Sequence, residues 1–351
     1  MMIKALVIGP ASFPGSLVSS YIRAFRRIGN VELLIFDTDQ IGKAHWIRGD
    51  KIADRLKKRL AYIFDVIQFK NRLYEFLKNK RFDFILDFKS AWLGPNDIMR
   101  LKDTTRALFF HFNADSPFDK ERANRHPNLI KNMPVYDVYF IWHKGLIPKI
   151  YAKGAKRVEY LPFAWDPELH PFTDLSGKEE EKYRSDLVFI GNWTHERERW
   201  LETVADFELT IWGDAACKWG RMKKGSELFN KWKPVSVRGK EFAKVVRASK
   251  INLNFLRDQN KGSHNMRTFE VPGCGGFLLT ERSEEQCEFF EEDKEIACFS
   301  TPEELREKIK FYLPRDELRR KMAEAAHRKV AQVHTYLDRG KRILEVYEEM
   351  R

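Results

Sequence analysis

Arg267 and Glu270, three residues apart, are the pair in this 351-residue sequence best suited to hold a phosphorylated ligand. They lie in Met266-Arg267-Thr268-Phe269-Glu270-Val271-Pro272-Gly273-Cys274-Gly275-Gly276-Phe277-Leu278-Leu279-Thr280-Glu281, which predicts a short helix, a glycine turn and a buried strand. Asn265 is placed to cap the helix. Pro272 and the glycines at 273, 275 and 276 end it, and Phe277–Leu279 is an apolar run of the kind a parallel sheet buries. A helix opening above a sheet offers free N–H groups and roughly half a positive charge to an anion. The amides at Asn265 and Met266 would supply that field, and Arg267 adds a permanent charge on a fork of donors matched to phosphate. Glu270 falls on the same helix face, where its carboxylate can accept from a pair of ribose hydroxyls. Together they read as a grip on a nucleotide diphosphate.

The first half carries a different set. His111 and Asp115 stand in His111-Phe112-Asn113-Ala114-Asp115-Ser116-Pro117-Phe118, a polar cluster just past a buried strand. A group acting on an acceptor would sit there, so both are candidate catalytic bases. Gly9, Ser12 and Gly15 belong to the loop after the first strand, where parallel sheets gather ligands; it lacks the Gly-Lys-Ser/Thr ending of a P-loop. Asp37-Thr38-Asp39 has the spacing of a metal-binding triplet, but it follows a strand directly and serves equally as a cap, and no metal is expected. The four cysteines, Cys217, Cys274, Cys287 and Cys298, show no zinc spacing and suit buried thiols in a reducing, cytoplasmic setting.

These groups need strands to carry them. Ile3–Ile8, a helix over 16–27 and Val31–Phe36 make a first parallel unit. Phe82–Phe88, Ala107–Phe112, Val135–Trp142 and Val158–Phe163 continue it. The polar stretch 168–184 reads as a flexible linker, which puts a domain boundary near residue 175. Asp186–Ile190, Leu209–Trp212, Val235–Val237 and Ile251–Asn254 then repeat the pattern around the central stretch, with domains expected at 1–175 and 176–333. Residues 334–351 form a closing helix. The expected class is α/β, with two Rossmann-like doubly wound domains facing across a cleft.

The same residues carry a resemblance. Arg267-Thr268-Phe269-Glu270 with Gly273-Cys274-Gly275-Gly276-Phe277-Leu278-Leu279-Thr280-Glu281 resembles the signature of CgeB-like glycosyltransferases. The likeness extends through Leu187–Trp193, Val237-Arg238-Gly239, Ser249–Asn254 and His334-Thr335-Tyr336, and touches Gly154–Arg157 and Tyr160-Leu161-Pro162 in the first half. It implies a GT-B architecture, a metal-independent sugar transfer from a nucleotide-diphosphate sugar, no cofactor, and a last helix that returns to the first domain. It implies that Arg267 with the 265–266 amides meets the diphosphate and that Glu270 holds the ribose. Gly191 and Asn192 would let a turn approach the phosphates, Val237 and Arg238 would flank the base, and Arg197 and Lys240 are secondary diphosphate candidates. The family's larger clan has a second glutamate near the sugar, where this chain has Gly262; His264 is then the candidate sugar contact. Inverting chemistry would use Asp115 or His111, whereas retaining chemistry needs no such base, and both stay open.

Composition sets the wider bounds. A 43% hydrophobic content is enough for packed cores, and the net charge of +12 favours polyanionic partners. The expected acceptor is a glycan, a lipid-linked intermediate or a protein. Within 52–81, Ile52, Leu56, Leu60, Ile63, Phe64 and Ile67 share one face beside many lysines and arginines. That pattern fits a core-packed helix pair with a solvated basic side, or peripheral contact with an anionic inner membrane face. No apolar run approaches the roughly 20 residues that span a bilayer. A nucleic-acid-binding role fits the charge, but no recognition motif accompanies it and no nucleic acid is expected. A catalytically idle scaffold of the same architecture is the remaining alternative.

Overall fold

The computed structural model describes residues 2–39, 52–89, 91–119 and 126–351; within these, nothing is said of the side chains at 52–56, 58 and 215. The chain forms two units, one of Met1–Pro162 with Leu337–Arg351 and one of Phe163–Tyr336.

The first unit is built on β1 (Ile3–Gly9), β2 (Val31–Asp37), β3 (Phe84–Phe88), β4 (Leu108–Asn113), β5 (Val138–Ile141) and β6 (Val158–Tyr160). They pair in the order β2-β1-β3-β4-β5-β6, parallel throughout. Every residue of β3 is buried, as expected of a strand covered by helices on both faces. The Leu17–Ile28 helix starts at Ser16, whose hydroxyl accepts from the Ser19 amide, and stops at Gly29 in the left-handed region. The closing helix, Tyr336–Met350, adds Ile343, Val346 and Tyr347 to this unit's core. The Tyr347 hydroxyl donates to Asp83 at 2.9 Å, and Arg342 pairs with Glu159 at 3.0 Å.

The second unit repeats the plan with β7 (Ser185–Ile190), β8 (Leu209–Trp212), β9 (Trp232–Lys233), β10 (Ser249–Asn254), β11 (Leu278–Glu281) and β12 (Ala297–Phe299). Their order is β12-β11-β10-β7-β8-β9. β7 therefore has β8 on one side and β10 on the other, so the winding reverses between β7 and β10. The corresponding reversal in the first sheet lies between β1 and β3. Such reversals open a crevice at the carboxyl ends of the strands, where ligands bind.

Two expectations change. Val235–Val237 is not a strand: Pro234 has no amide to donate and the ladder ends at the short edge strand β9. The stretch 168–184, expected as a linker, lies within the second unit and ends in a helix, and the units divide at 162/163 where a boundary near 175 was expected. Trp165 exchanges backbone hydrogen bonds with His334 and Tyr336. Residues 177–183 form a helix capped by Ser176 and tied by Tyr183 to Glu241 at 2.8 Å. The polar composition belongs to the exposed side of an ordered segment.

Candidate functional site

The central stretch folds as helix, turn and strand, with a different start from the one expected. The helix runs Arg267–Gly273 and is preceded by Met266 in right-handed helical conformation, without a side-chain cap. Asn265 instead donates from Nδ2 to Asn254 Oδ1 at 2.8 Å, which ties the helix entry to the end of β10. A Cβ on Gly273 would lie 2.3 Å from the Trp165 indole, and Gly275 has a φ of +77°. Both positions need glycine, one for space and one for conformation. His327 Nδ1 donates to the Gly273 carbonyl at 2.9 Å.

Arg267 lies over the Phe242 ring with 4.3 Å from guanidinium carbon to ring centre. Its Nε donates to the Ile190 carbonyl at 3.3 Å, and it is paired with Glu270. The Arg267 side chain is 30% exposed, whereas Glu270 is buried. The second Glu270 oxygen lies 3.7 Å from His170 Nδ1. Arg267 thus links the central helix to the end of β7.

Arg197 is the residue that gains most from the structure. It comes from the His195–Glu202 helix, capped by Thr194, and its side chain is buried. It donates to the carbonyls of Asn192 at 3.0 Å and Phe255 at 2.7 Å, bridging the turns after β7 and β10. Burial pushes its pKa down to about 10, and the positive charges of Arg257 and Arg267 push in the same direction. Glu281 and Glu196 oppose this more weakly. Glu281 itself is raised, first by burial and also by Glu196, while it accepts from the Leu256 amide at 2.9 Å. Carbonyl dipoles accept from each terminal nitrogen of Arg197 without cancelling its charge, and among the described residues its buried Nε has no hydrogen-bond partner. The crevice between β7 and β10 therefore gathers guanidinium charge that an anion would relieve.

Gly191 and Asn192 form the turn beneath these groups, and the Gly191 carbonyl accepts from Trp219 Nε1 at 2.8 Å. Val237 is buried, and the largely exposed Arg238 lies 3.7 Å from Asp214 at the start of the Gly239–Ala248 helix. Lys240 is exposed in the first turn of that helix. His264 does not serve as a sugar contact. It is fully buried, its Nε2 accepts from the Phe163 amide at 3.1 Å, and its Nδ1 lies 3.0 Å from Glu285. An accepting Nε2 places the proton on Nδ1, facing the carboxylate. The ring is a packed structural group among Phe163, Phe269 and Phe289.

In the first unit, His111 is likewise withdrawn. Its ring is fully buried, 2.8 Å from Asp87, and stacked on Tyr136 at 4.5 Å. A group enclosed in this way does not touch an acceptor, which removes it from the candidate bases. The β3–β4 register sets Asp87 directly beside His111, a pairing readable from the two aligned strands. Asp115 is part-exposed past β4 and paired with Lys89 just past β3, a partner absent from the sequence reading. Ser12 donates to Asp37, as does the Ala11 amide at 3.0 Å. Burial raises the Asp37 pKa, but these bonds and the one from the Asp39 amide outweigh it and hold the carboxyl below its ordinary value. Asp37 is thus committed to shaping the loop. A Cβ on Gly9 would meet Val18 at 2.9 Å, and one on Gly15 would meet the Phe13 ring at 2.9 Å.

Residues 196–345 match the family model described as glycosyl transferase-like. No curated relative matches the chain. Among solved structures, a glycosyltransferase from Rickettsia africae ESF-5 is similar with a TM-score of 0.67 at 13% identity, over 99% of this chain and 98% of its own. Anabaena HepE in complex with UDP and glucose gives 0.67 at 12% identity, over 99% and 100%. Sucrose-phosphate synthase from Thermosynechococcus elongatus gives 0.69 at 11% identity, over 99% of both. The two parallel six-stranded sheets have the GT-B fold of these structures. On that fold the chain carries a glycosyltransferase-like domain.

Proposed function

We propose that the protein is a CgeB-like glycosyltransferase that moves a sugar from a nucleotide-diphosphate donor to a glycan, lipid-linked or protein acceptor. The observation that carries this is the buried Arg197 guanidinium, held by carbonyls beside Arg257 and Arg267 at the reversal point of the second sheet. Breaking the bond between sugar and diphosphate builds negative charge on the leaving group. Donors fixed in advance at that charge are worth about 3 kcal/mol each. Arg267 and Arg197 would take that part, with the Gly191–Asn192 turn close to the phosphates and Glu270 on the ribose. Guanidinium charge supplies what a divalent ion supplies elsewhere, so the reaction is metal-independent and needs no cofactor. Asp115 is the acceptor-side base if the reaction inverts configuration. Structural relatives support the donor class: Anabaena HepE has been solved with UDP and with UDP-glucose.

Calorimetry with UDP, GDP, dTDP, ADP and CMP tests the donor site. One nucleoside diphosphate should bind in the presence of EDTA, and Glu270→Ala should weaken it about tenfold, the loss of roughly 1.4 kcal/mol. No binding by any of the five, or unchanged affinity in the variant, removes the assignment.

A further inference from the structure

The Ile52–Leu77 helix is apolar on two opposite sides. One side is accounted for: Phe69, Leu73 and Leu77 are fully buried, with Phe69 edge-on to Phe36 and Trp92. The other side holds Leu60, Ile63, Phe64 and Ile67, which are 60%, 47%, 61% and 53% exposed. Their spacing of three, four and seven residues makes one continuous stripe. The packed-face reading from the sequence therefore fails for these four residues; Ile52 and Leu56, assigned to the same face, have side chains outside the described residues. At about 100° per residue the stripe covers roughly 100° of the helix surface. The exposed Arg59 and Lys57 lie just outside its two edges. Asp65, the one acidic residue between 57 and 74, is buried.

We infer that this face seats the protein on an anionic lipid bilayer, with the stripe in the headgroup–acyl boundary and the flanking cations against lipid phosphates. An exposed apolar stripe rimmed by positive charge, with Asp65 turned inward beside it, is the pattern of a helix lying in a membrane surface. Charge decides between lipid and a second copy of the chain. A symmetric pair would bring the same Lys57 and Arg59 together between two bodies of net charge +12, whereas anionic headgroups complement them. Among the described residues no helix is long and apolar enough to cross a membrane, so the contact is peripheral. The inference stands apart from the donor site and selects the lipid-borne class among the acceptors considered above.

The test is sedimentation of the full chain with vesicles of phosphatidylcholine alone or mixed with phosphatidylglycerol, at low and physiological salt. The chain should pellet with the anionic vesicles, less so as salt rises. Phe64→Glu with Ile67→Glu should reduce binding at least about tenfold, and both sites are exposed enough that the variant folds. Lys57→Ser with Arg59→Ser should weaken binding and flatten its salt dependence. Nucleotide affinity, measured without lipid, should be unchanged in both variants, so loss of the donor site and loss of the membrane face are read separately. The inference is overturned if the chain stays in solution with anionic vesicles or if the glutamate variant pellets like the wild type. It is equally overturned if sedimentation velocity shows a dimer that this variant splits and no vesicle binding.

Discussion

The two sheets share strand number, parallel pairing and a reversal of winding, yet they settle charge differently at their carboxyl ends. In the first, each acid has a complementary partner: Asp37 has Ser12 and two backbone amides, Asp87 has His111, and Asp115 has Lys89. In the second, Arg197 is buried against carbonyls, and two further arginines act on its charge more strongly than Glu281 and Glu196 do. The fold supplies the crevice in both units, but in the second a buried guanidinium there is held by carbonyls rather than by a carboxylate. Architecture locates a ligand site, and the local charge balance selects the ligand.

The sharpest way to break this contrast is Arg267→Ala. Slow hydrolysis of the nucleotide sugar that binds should fall about 100-fold, near 3 kcal/mol, as expected for one fixed donor to the leaving group. An unchanged rate would make the arginine cluster structural. His111→Phe probes the opposite claim. It removes one of two side-chain partners of the buried Asp87 among the described residues, leaving only the Tyr136 hydroxyl at 3.3 Å, and should cost about 1–3 kcal/mol of stability in a denaturant titration, while calorimetric affinity for the nucleotide stays unchanged. A loss of affinity would erase the distinction between the two units.

The smallest effect concerns His327 behind the central turn. Burial outweighs the two carbonyl bonds that favour its charged form and leaves its pKa below the ordinary 6.5. The unfolded chain then binds the proton more readily, so this contribution is full above pH 6.5 and declines as pH falls through and below that value. Thermal melts between pH 7 and 5 should show the decline, and His327→Gln should lessen it. An identical pH profile in the variant would dismiss the effect.

Much of the architecture is legible because buried parallel strands are nearly unbroken apolar runs, and Phe84–Phe88 and Leu278–Leu279 announce themselves. The Arg267–Glu270 pair is legible for a similar reason, since helical period alone brings residues three apart together. Long-range partners are not. Nothing local ties Arg197 to the carbonyl of Phe255, or His264 to Glu285 and Phe163. A buried histidine and a catalytic one also have the same appearance in a strand, and only the neighbour in the next strand separates them. Of the two readings of the 52–81 region, the core-packed one fails at Leu60, Ile63, Phe64 and Ile67 because periodicity reports that a face is apolar, not that anything covers it.

The first unit draws its last helix from beyond residue 336, so the second unit is an insertion within it. This has a consequence for synthesis. During translation the residues of the second unit have all been joined to the chain before the helix bearing Ile343, Val346 and Tyr347 is made. The end of the second unit and the closing helix thus leave the ribosome close together, and the first sheet lacks that covering helix until the second unit has been made.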